Sequence, residues 1–226
     1  MSAAPAAVIF DCDGVLVDSE ILAVEVEIVL LAEIGLSYEP AEYCRRFLGM
    51  HDHAFRDALD ADCRAITGRP LPADFLDRTH AQRLAACQDR LTEVAGAAQA
   101  IAALTTPKAV ASSSGTHFLR EKLALGGLLG LFDPHVYSAD LVGRGKPHPD
   151  IFLHAAQQLS ADPAACVAIE DSVNGVLSAR GADMEVWGFC GGGHMDEDAA
   201  RRLSEAGAHR LVQSWPEARG LFAAFA

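Results

Sequence analysis

From about Leu91 onward the chain repeats one rhythm, a short apolar run, a polar loop and a stretch of helical periodicity. Lys108-Ala109-Val110-Ala111 precedes three serines and a helix through Leu125, and Cys166-Val167-Ala168-Ile169 precedes Glu170-Asp171 and a helix through Arg180. Met184 to Phe189 precedes a glycine-rich loop, and Arg210-Leu211-Val212 precedes a last helix. Short apolar runs alternating with helices read as parallel strands, because a crossover helix returns the chain to the same end of the sheet. The run Val8-Ile9-Phe10, which stops at Asp11-Cys12-Asp13-Gly14, reads as the first such strand. The expected class is α/β, a Rossmann-like doubly wound parallel sheet with helices on both faces.

Between Ser19 and about Ala86 that rhythm is absent. Leu22, Val26, Val29 and Leu30, then Phe47, Phe55, Leu59 and Phe75, recur at helical or wide spacing with no convincing strand. The expected organisation is therefore an α/β core of residues 1–18 and 87–226 carrying an all-helical insert, 19–86. A chain of 226 residues with 50% hydrophobic and 22% charged residues is globular. At this size roughly 70% of the unfolded surface is buried on folding, so a metal would serve chemistry rather than hold the fold together.

The formal charge of −13 gives a polyanion a repulsive average field, which argues against nucleic acid and anionic membrane as partners. Cys12, Cys44, Cys63, Cys87, Cys166 and Cys190 are scattered singly with no C-x-x-C spacing, as expected of reduced thiols in a cytoplasmic protein. The start of the chain lacks a basic stretch, and the longest apolar segment, near Ile21 to Leu31, is interrupted by Glu25 and Glu27. Neither secretion nor membrane spanning is expected.

In an open parallel sheet, ligands bind beyond the carboxyl ends of the strands, so the polar residues that follow each apolar run are the candidates for chemistry. Asp11 and Asp13, two residues apart at the end of the first strand, can face one crevice, with Gly14 turning the backbone away. Their repulsion calls for a divalent cation, a proton or a lysine; a strand-ending Asp-Gly turn with solvated acids is the plain alternative. Ser112-Ser113-Ser114-Gly115 opens a helix and offers hydroxyls and backbone N–H groups to an anion, or merely an N-cap. Gly145-Lys146-Pro147-His148-Pro149-Asp150 holds Lys146 in a stiff segment, or simply begins the next helix, with His148 structural. Glu170-Asp171-Ser172 is an oxygen-ligand source suited to Mg²⁺, or another N-cap.

Taken together and in this order, the four clusters resemble the haloacid dehalogenase superfamily, and its β-phosphoglucomutase-like branch in particular. Asp11-Cys12-Asp13-Gly14-Val15-Leu16-Val17-Asp18-Ser19-Glu20 is similar to the first motif of that family, Ser112 to the second, Gly145-Lys146-Pro147 to the third and Glu170-Asp171-Ser172 to the fourth. The resemblance spans essentially the whole chain. It implies Asp11 as the nucleophile that forms an aspartyl-phosphate, and Asp13 as the acid and then the base. It implies Mg²⁺ on Asp11, the backbone carbonyl of Asp13 and Asp171, with Glu170 acting through water. Ser112, Ser113 and Lys146 would bind the phosphoryl group, and the insert would be a cap that closes over the crevice.

Departures from that branch narrow the reaction. Ala23 stands where β-phosphoglucomutases carry a His on the opening cap helix, and Gly115 where they carry a Lys after the second motif. Met50, His51 and Asp52 occupy the cap loop expected to hold a cation. A second phosphate lacks its clamp, so a phosphomutase is the alternative reading and hydrolysis the main one. Asp13 argues against dehalogenation. A non-catalytic receiver-type domain is remote, because receivers carry the acidic pair before the phosphorylated Asp. The expected enzyme is a Mg²⁺-dependent phosphatase of small phosphate monoesters, sugar phosphates or sugar-acid phosphates, close to phosphatases resembling 6-phosphogluconate phosphatase. Its partner would be a small phosphorylated metabolite, its state a monomer or small homo-oligomer. Arg46, His51 and Arg144 are the candidates for substrate specificity.

Overall fold

The computed structural model describes residues 4–47 and 52–225, positions 52 and 53 by their backbone alone. The chain divides into two compact units, Met1–Asp18 with Thr92–Ala226, and Ser19–Leu91. The second is helical: α1 (Ser19–Glu33), α2 (Pro40–Phe47), α3 (Asp52–Thr67) and α4 (Phe75–Arg90). The first begins with β1 (Ala7–Phe10) and resumes with α5 (Ala97–Ala103), β2 (Lys108–Ser112), α6 (Thr116–Leu125), α7 (Leu129–Phe132) and β3 (Val136–Ser138). It continues through α8 (Asp150–Gln158), β4 (Cys166–Glu170), α9 (Val173–Gly181), β5 (Glu185–Phe189), α10 (Glu197–Glu205), β6 (Arg210–Val212) and α11 (Trp215–Phe222).

All six strands are parallel, in the order β3-β2-β1-β4-β5-β6. The order reverses at β1, which makes the carboxyl end of β1 a topological switch point. Every residue of β1 is buried, as a central strand covered on both faces requires. Ile9 packs on one side with Ile151, Phe152, Val176 and Ala179 of α8 and α9. On the other side the Phe10 ring meets Phe132, Trp215 and Phe222 at centroid distances of 5.6, 5.9 and 6.4 Å. The buried Trp215 indole donates to the Val15 carbonyl at 3.0 Å, so its N–H is not left unsatisfied.

Two differences from the sequence expectation have local causes. The strand β3 is not signalled, because a short helical turn and a loop, residues 139–149, separate it from α8, so the strand–loop–helix rhythm does not show there. The expected boundary after Ala86 falls inside α4, which runs on until the Leu91 N–H caps the Cys87 carbonyl at 3.0 Å in extended backbone. The division therefore falls between Leu91 and Thr92. At the base of the insertion the outgoing and returning segments are tied: Asp18 N–H donates to Thr92 O at 3.1 Å, and Val17 bridges Glu93 in antiparallel fashion.

Within the helical unit, Leu30, Leu31, Tyr43, Phe47, Leu59 and Phe75 form the core. The Tyr43 hydroxyl donates a hydrogen bond to buried Glu27 at 2.6 Å, and Arg83 stands 3.3 Å from the other carboxylate oxygen. Among the described residues no helix is long and apolar enough to cross a membrane. All six cysteines are free thiols.

Candidate active site

Register alone brings the first residues together. Phe10 pairs with Val110 on one side and Ile169 on the other, so Asp11, one step on, lies level with the ends of β2 and β4, where Ser112 and Glu170 sit. The Asp11 N–H still donates to Ile169 O at 2.9 Å, which fixes the backbone from which its side chain projects.

Lys146 enters this edge from the loop before α8 and is almost inaccessible. Its Nζ lies 2.5 Å from Asp11 Oδ1, 2.5 Å from Glu170 Oε1 and 3.0 Å from the Ala111 carbonyl, and 5.0 Å from the centre of the Phe152 ring. Burial by itself would lower the Lys146 ammonium, but Asp11 and Glu170 outweigh it and hold the group above its ordinary value, charged. Asp11 moves up as well: burial pushes its carboxyl well above the usual range, Lys146 opposes, and Glu170, Asp171 and Asp13 add to the rise.

Glu170 is fully buried, and its second oxygen accepts from Asp171 N–H (3.0 Å), Ser172 N–H (3.1 Å) and Ser172 Oγ (3.0 Å). Ser172 in turn caps α9 by accepting from the Gly175 N–H at 3.0 Å. Glycine is required at Gly175, where a Cβ would stand 1.8 Å from the Glu170 carboxylate carbon. It is required again at Gly14, which has φ +72° and where a Cβ would lie 2.0 Å from Asp171 Oδ2. Asp171 meets His194 Nε2 at 3.2 Å, and burial raises its carboxyl while His194 pulls it down.

The Asp13 side chain turns toward β2. Its Oδ2 accepts from Ser114 Oγ at 2.9 Å and lies 3.5 Å from Ser112 Oγ, while its Oδ1 receives the Lys122 ammonium from α6. The serine loop is braced from behind: Ser112 Oγ accepts from Ser114 N–H (3.0 Å), and Ser138 Oγ donates to the Ser114 carbonyl (2.7 Å). Asp140 takes the Thr116 N–H at 2.7 Å, one of the donors at the start of α6. Cys12, wedged between the two aspartates, is fully buried and burial pushes its thiol up, so it is no competing nucleophile.

Asp11, Asp13, Ser112, Lys146, Glu170 and Asp171 are thus brought to one edge of the sheet. Ser113 is exposed on the same loop. Arg144 is exposed and forks onto Asp150 at 2.9 and 3.2 Å. Arg46, in the helical unit, pairs with Asp62 at 2.6 Å. His51 lies outside the described residues. Sequence reasoning missed Lys122 and His194, and named Ser114 only as part of the serine run. Lys122 carried a signal, since it shares the buried face of α6 with Leu119 and Leu123.

Asp11, Glu170 and Asp171 each offer a carboxylate oxygen within 4.8 Å of the others. With Asp13, four carboxylates face the two ammonium groups of Lys146 and Lys122, which leaves the cluster short of positive charge with His194 counted as neutral. Buried oxygen donors with that imbalance fit a hard divalent cation.

Comparison with known proteins gives the family. Residues 5–183 match the family model described as haloacid dehalogenase-like hydrolase, and the chain belongs to that family. It is 30% identical over 188 residues, 83% of this chain and 84% of the relative, to 6-phosphogluconate phosphatase of Escherichia coli (strain K12). It is 31% identical over 181 residues, 79% of this chain and 80% of the relative, to hexitol phosphatase B of the same organism. A crystal structure of a haloacid dehalogenase-family hydrolase from Deinococcus radiodurans R1, which holds phosphate and sodium, superposes with a TM-score of 0.84 at 38% identity, covering 99% of this chain and 97% of that one.

Proposed function

We propose that this phosphoric monoester hydrolase is a Mg²⁺-dependent phosphatase of a small sugar, polyol or sugar-acid phosphate, acting through an aspartyl-phosphate on Asp11. The observation that carries the reading is the convergence of Asp11, Asp13, Ser112, Lys146 and Asp171 on one strand edge, joined by direct contacts or a shared carboxylate cluster. The names of the two bacterial relatives, a sugar-acid phosphatase and a hexitol phosphatase, support the substrate class.

In this reading Asp11 attacks phosphorus in line while Lys146 and Ser112 hold the phosphoryl oxygens, positions at which charge gathers in the transition state. Asp13 gives a proton to the departing alcohol and then takes one from the water that cleaves the aspartyl-phosphate. Mg²⁺ would be held by Asp11, Asp171 and the Asp13 carbonyl, with Glu170 behind them, and would neutralise charge on the phosphoryl oxygens. Glu170 keeps Lys146 charged and in place, because the two ends of its carboxylate are shared between that ammonium and the first turn of α9. The helical Ser19–Leu91 unit is the cap domain in this reading.

Hydrolysis is favoured over isomerisation by what the chain offers a second phosphate. Gly115 follows the serines, and Arg46 is committed to Asp62. The test is phosphate release from a panel of sugar, polyol and sugar-acid phosphates with Mg²⁺, together with β-glucose 1-phosphate and a bisphosphate primer. Inorganic phosphate is the expected product; a phosphorylated isomer would replace this reading with the mutase.

A further inference from the structure

Lys122 is placed where lysine is costly. It is 1% exposed, on the core-facing side of α6, with its ammonium 4.8 Å from the centre of the Phe118 ring. A buried ion pair is a poor device for stability, since well-packed apolar side chains do as well or better. What this pair accomplishes is geometric. Lys122 donates to Asp13 Oδ1 and, at 2.8 Å, to Ser114 Oγ, while Ser114 Oγ donates to Asp13 Oδ2 at 2.9 Å. The three side chains close a triangle, and Ser138 anchors its serine corner through the Ser114 carbonyl at 2.7 Å. The Asp13 side chain is 19% exposed and that of Lys122 only 2%, so the carboxylate faces outward and the ammonium is sealed behind it.

We infer that Lys122, together with Ser114, is a positioning residue for Asp13 that fits the enzyme to esters of weakly acidic alcohols; the inference rests on the proposed role of Asp13. In the first step the phosphoryl group passes from the ester oxygen to Asp11, the phosphorus–oxygen ester bond breaks, and the proton of Asp13 moves to the departing oxygen. Asp13 is left as a carboxylate at that moment, and the Lys122 ammonium and Ser114 hydroxyl already point at its two oxygens. Water then attacks phosphorus, the bond to Asp11 breaks, and the proton of that water returns to Asp13. An interaction that strengthens as the carboxylate forms lowers the barrier rather than merely binding the ground state. Sugar and polyol alkoxides are poor leaving groups that need the proton; a nitrophenolate is not.

The experiment compares kcat/KM, which reports steps up to alcohol release, for β-glycerophosphate and p-nitrophenyl phosphate in wild type, Lys122→Met, Asp13→Asn and the double variant. Lys122→Met is expected to lose about 10²-fold on the alkyl ester and about tenfold less on the aryl ester. Asp13→Asn should discriminate in the same sense, and the double variant should add little to it. Equal losses on both esters in Lys122→Met, or independent losses in the double variant, overturn the inference while leaving Asp13 in its role. Equal losses in Asp13→Asn remove that role and the inference with it. Should Lys122→Met fail to fold by circular dichroism, Ser114→Ala carries the same comparison with the same two outcomes.

Discussion

Gly175, in the first turn of α9, presses its bare Cα against the carboxylate of Glu170, leaving no room for even a methyl group. Gly175→Ala is therefore expected to displace Glu170 and the Lys146 that leans on it, costing about 1–3 kcal/mol in urea unfolding and most of the phosphatase activity. Gly220 in α11, with no atom within 4 Å of its hypothetical Cβ, is the control. Gly220→Ala should be stabilising by about 0.5–1 kcal/mol. Equal behaviour of the two variants would refute the steric account.

Asp11→Asn removes the nucleophile and one member of the carboxylate cluster. Mg²⁺-dependent phosphate release is expected to fall by about 10³-fold or more while the circular dichroism spectrum is unchanged. Rapid quench with ³²P-labelled substrate should trap labelled protein in the wild type and none in the variant. Trapping of label in Asp11→Asn would move the covalent step elsewhere.

The shortage of positive charge around Asp11, Glu170 and Asp171 makes a further prediction. Mg²⁺ should raise the melting temperature, because a ligand at 100 times its Kd adds about 2.7 kcal/mol to the native state. EDTA should reverse the shift and silence turnover. Asp171→Asn should abolish the thermal shift, and an undiminished shift in that variant would place the ion outside the cluster.

Glu27 links pH to the stability of the helical unit. Burial, partly offset by Arg83 and by the Tyr43 hydroxyl, raises its carboxyl above the ordinary 4.5, so the native state keeps a proton that the unfolded chain releases. Stability must then be lost as pH climbs from 4.5 through the raised value. Glu27→Gln, which can still accept from Tyr43, should escape this loss. The melting temperature of the variant relative to wild type should therefore increase between pH 4 and pH 7. A difference that is flat or falls with pH would contradict the assignment.

Much of the site was legible because α/β topology exposes it. Asp11, Ser112 and Glu170 each terminate an apolar run, and parallel register does the rest. Lys122 was not, because a lysine in a helix is ordinarily counted on the solvated face, and only its spacing from Leu119 and Leu123 says otherwise. His194 depends on a packing detail that no spacing encodes. A Cβ at Gly14 or at Gly192 would come within 2.5 or 2.9 Å of its ring, so two glycines far apart in the chain together make its seat. Arg46 and Arg144, expected to meet substrate, each pair with a nearby carboxylate, Asp62 and Asp150, in exposed contacts that no sequence spacing singles out.

The hydrogen bond from Asp18 to Thr92 makes the helical insertion a detour with a closed mouth: the chain leaves the sheet-bearing unit and re-enters it at hydrogen-bonded neighbours. The wiring of the six strands is thus indifferent to what is spliced in between. A few residues of linker between Asp18 and Thr92 would complete the same circuit, which makes that junction the place where the insert can be shortened or exchanged without cutting the sheet.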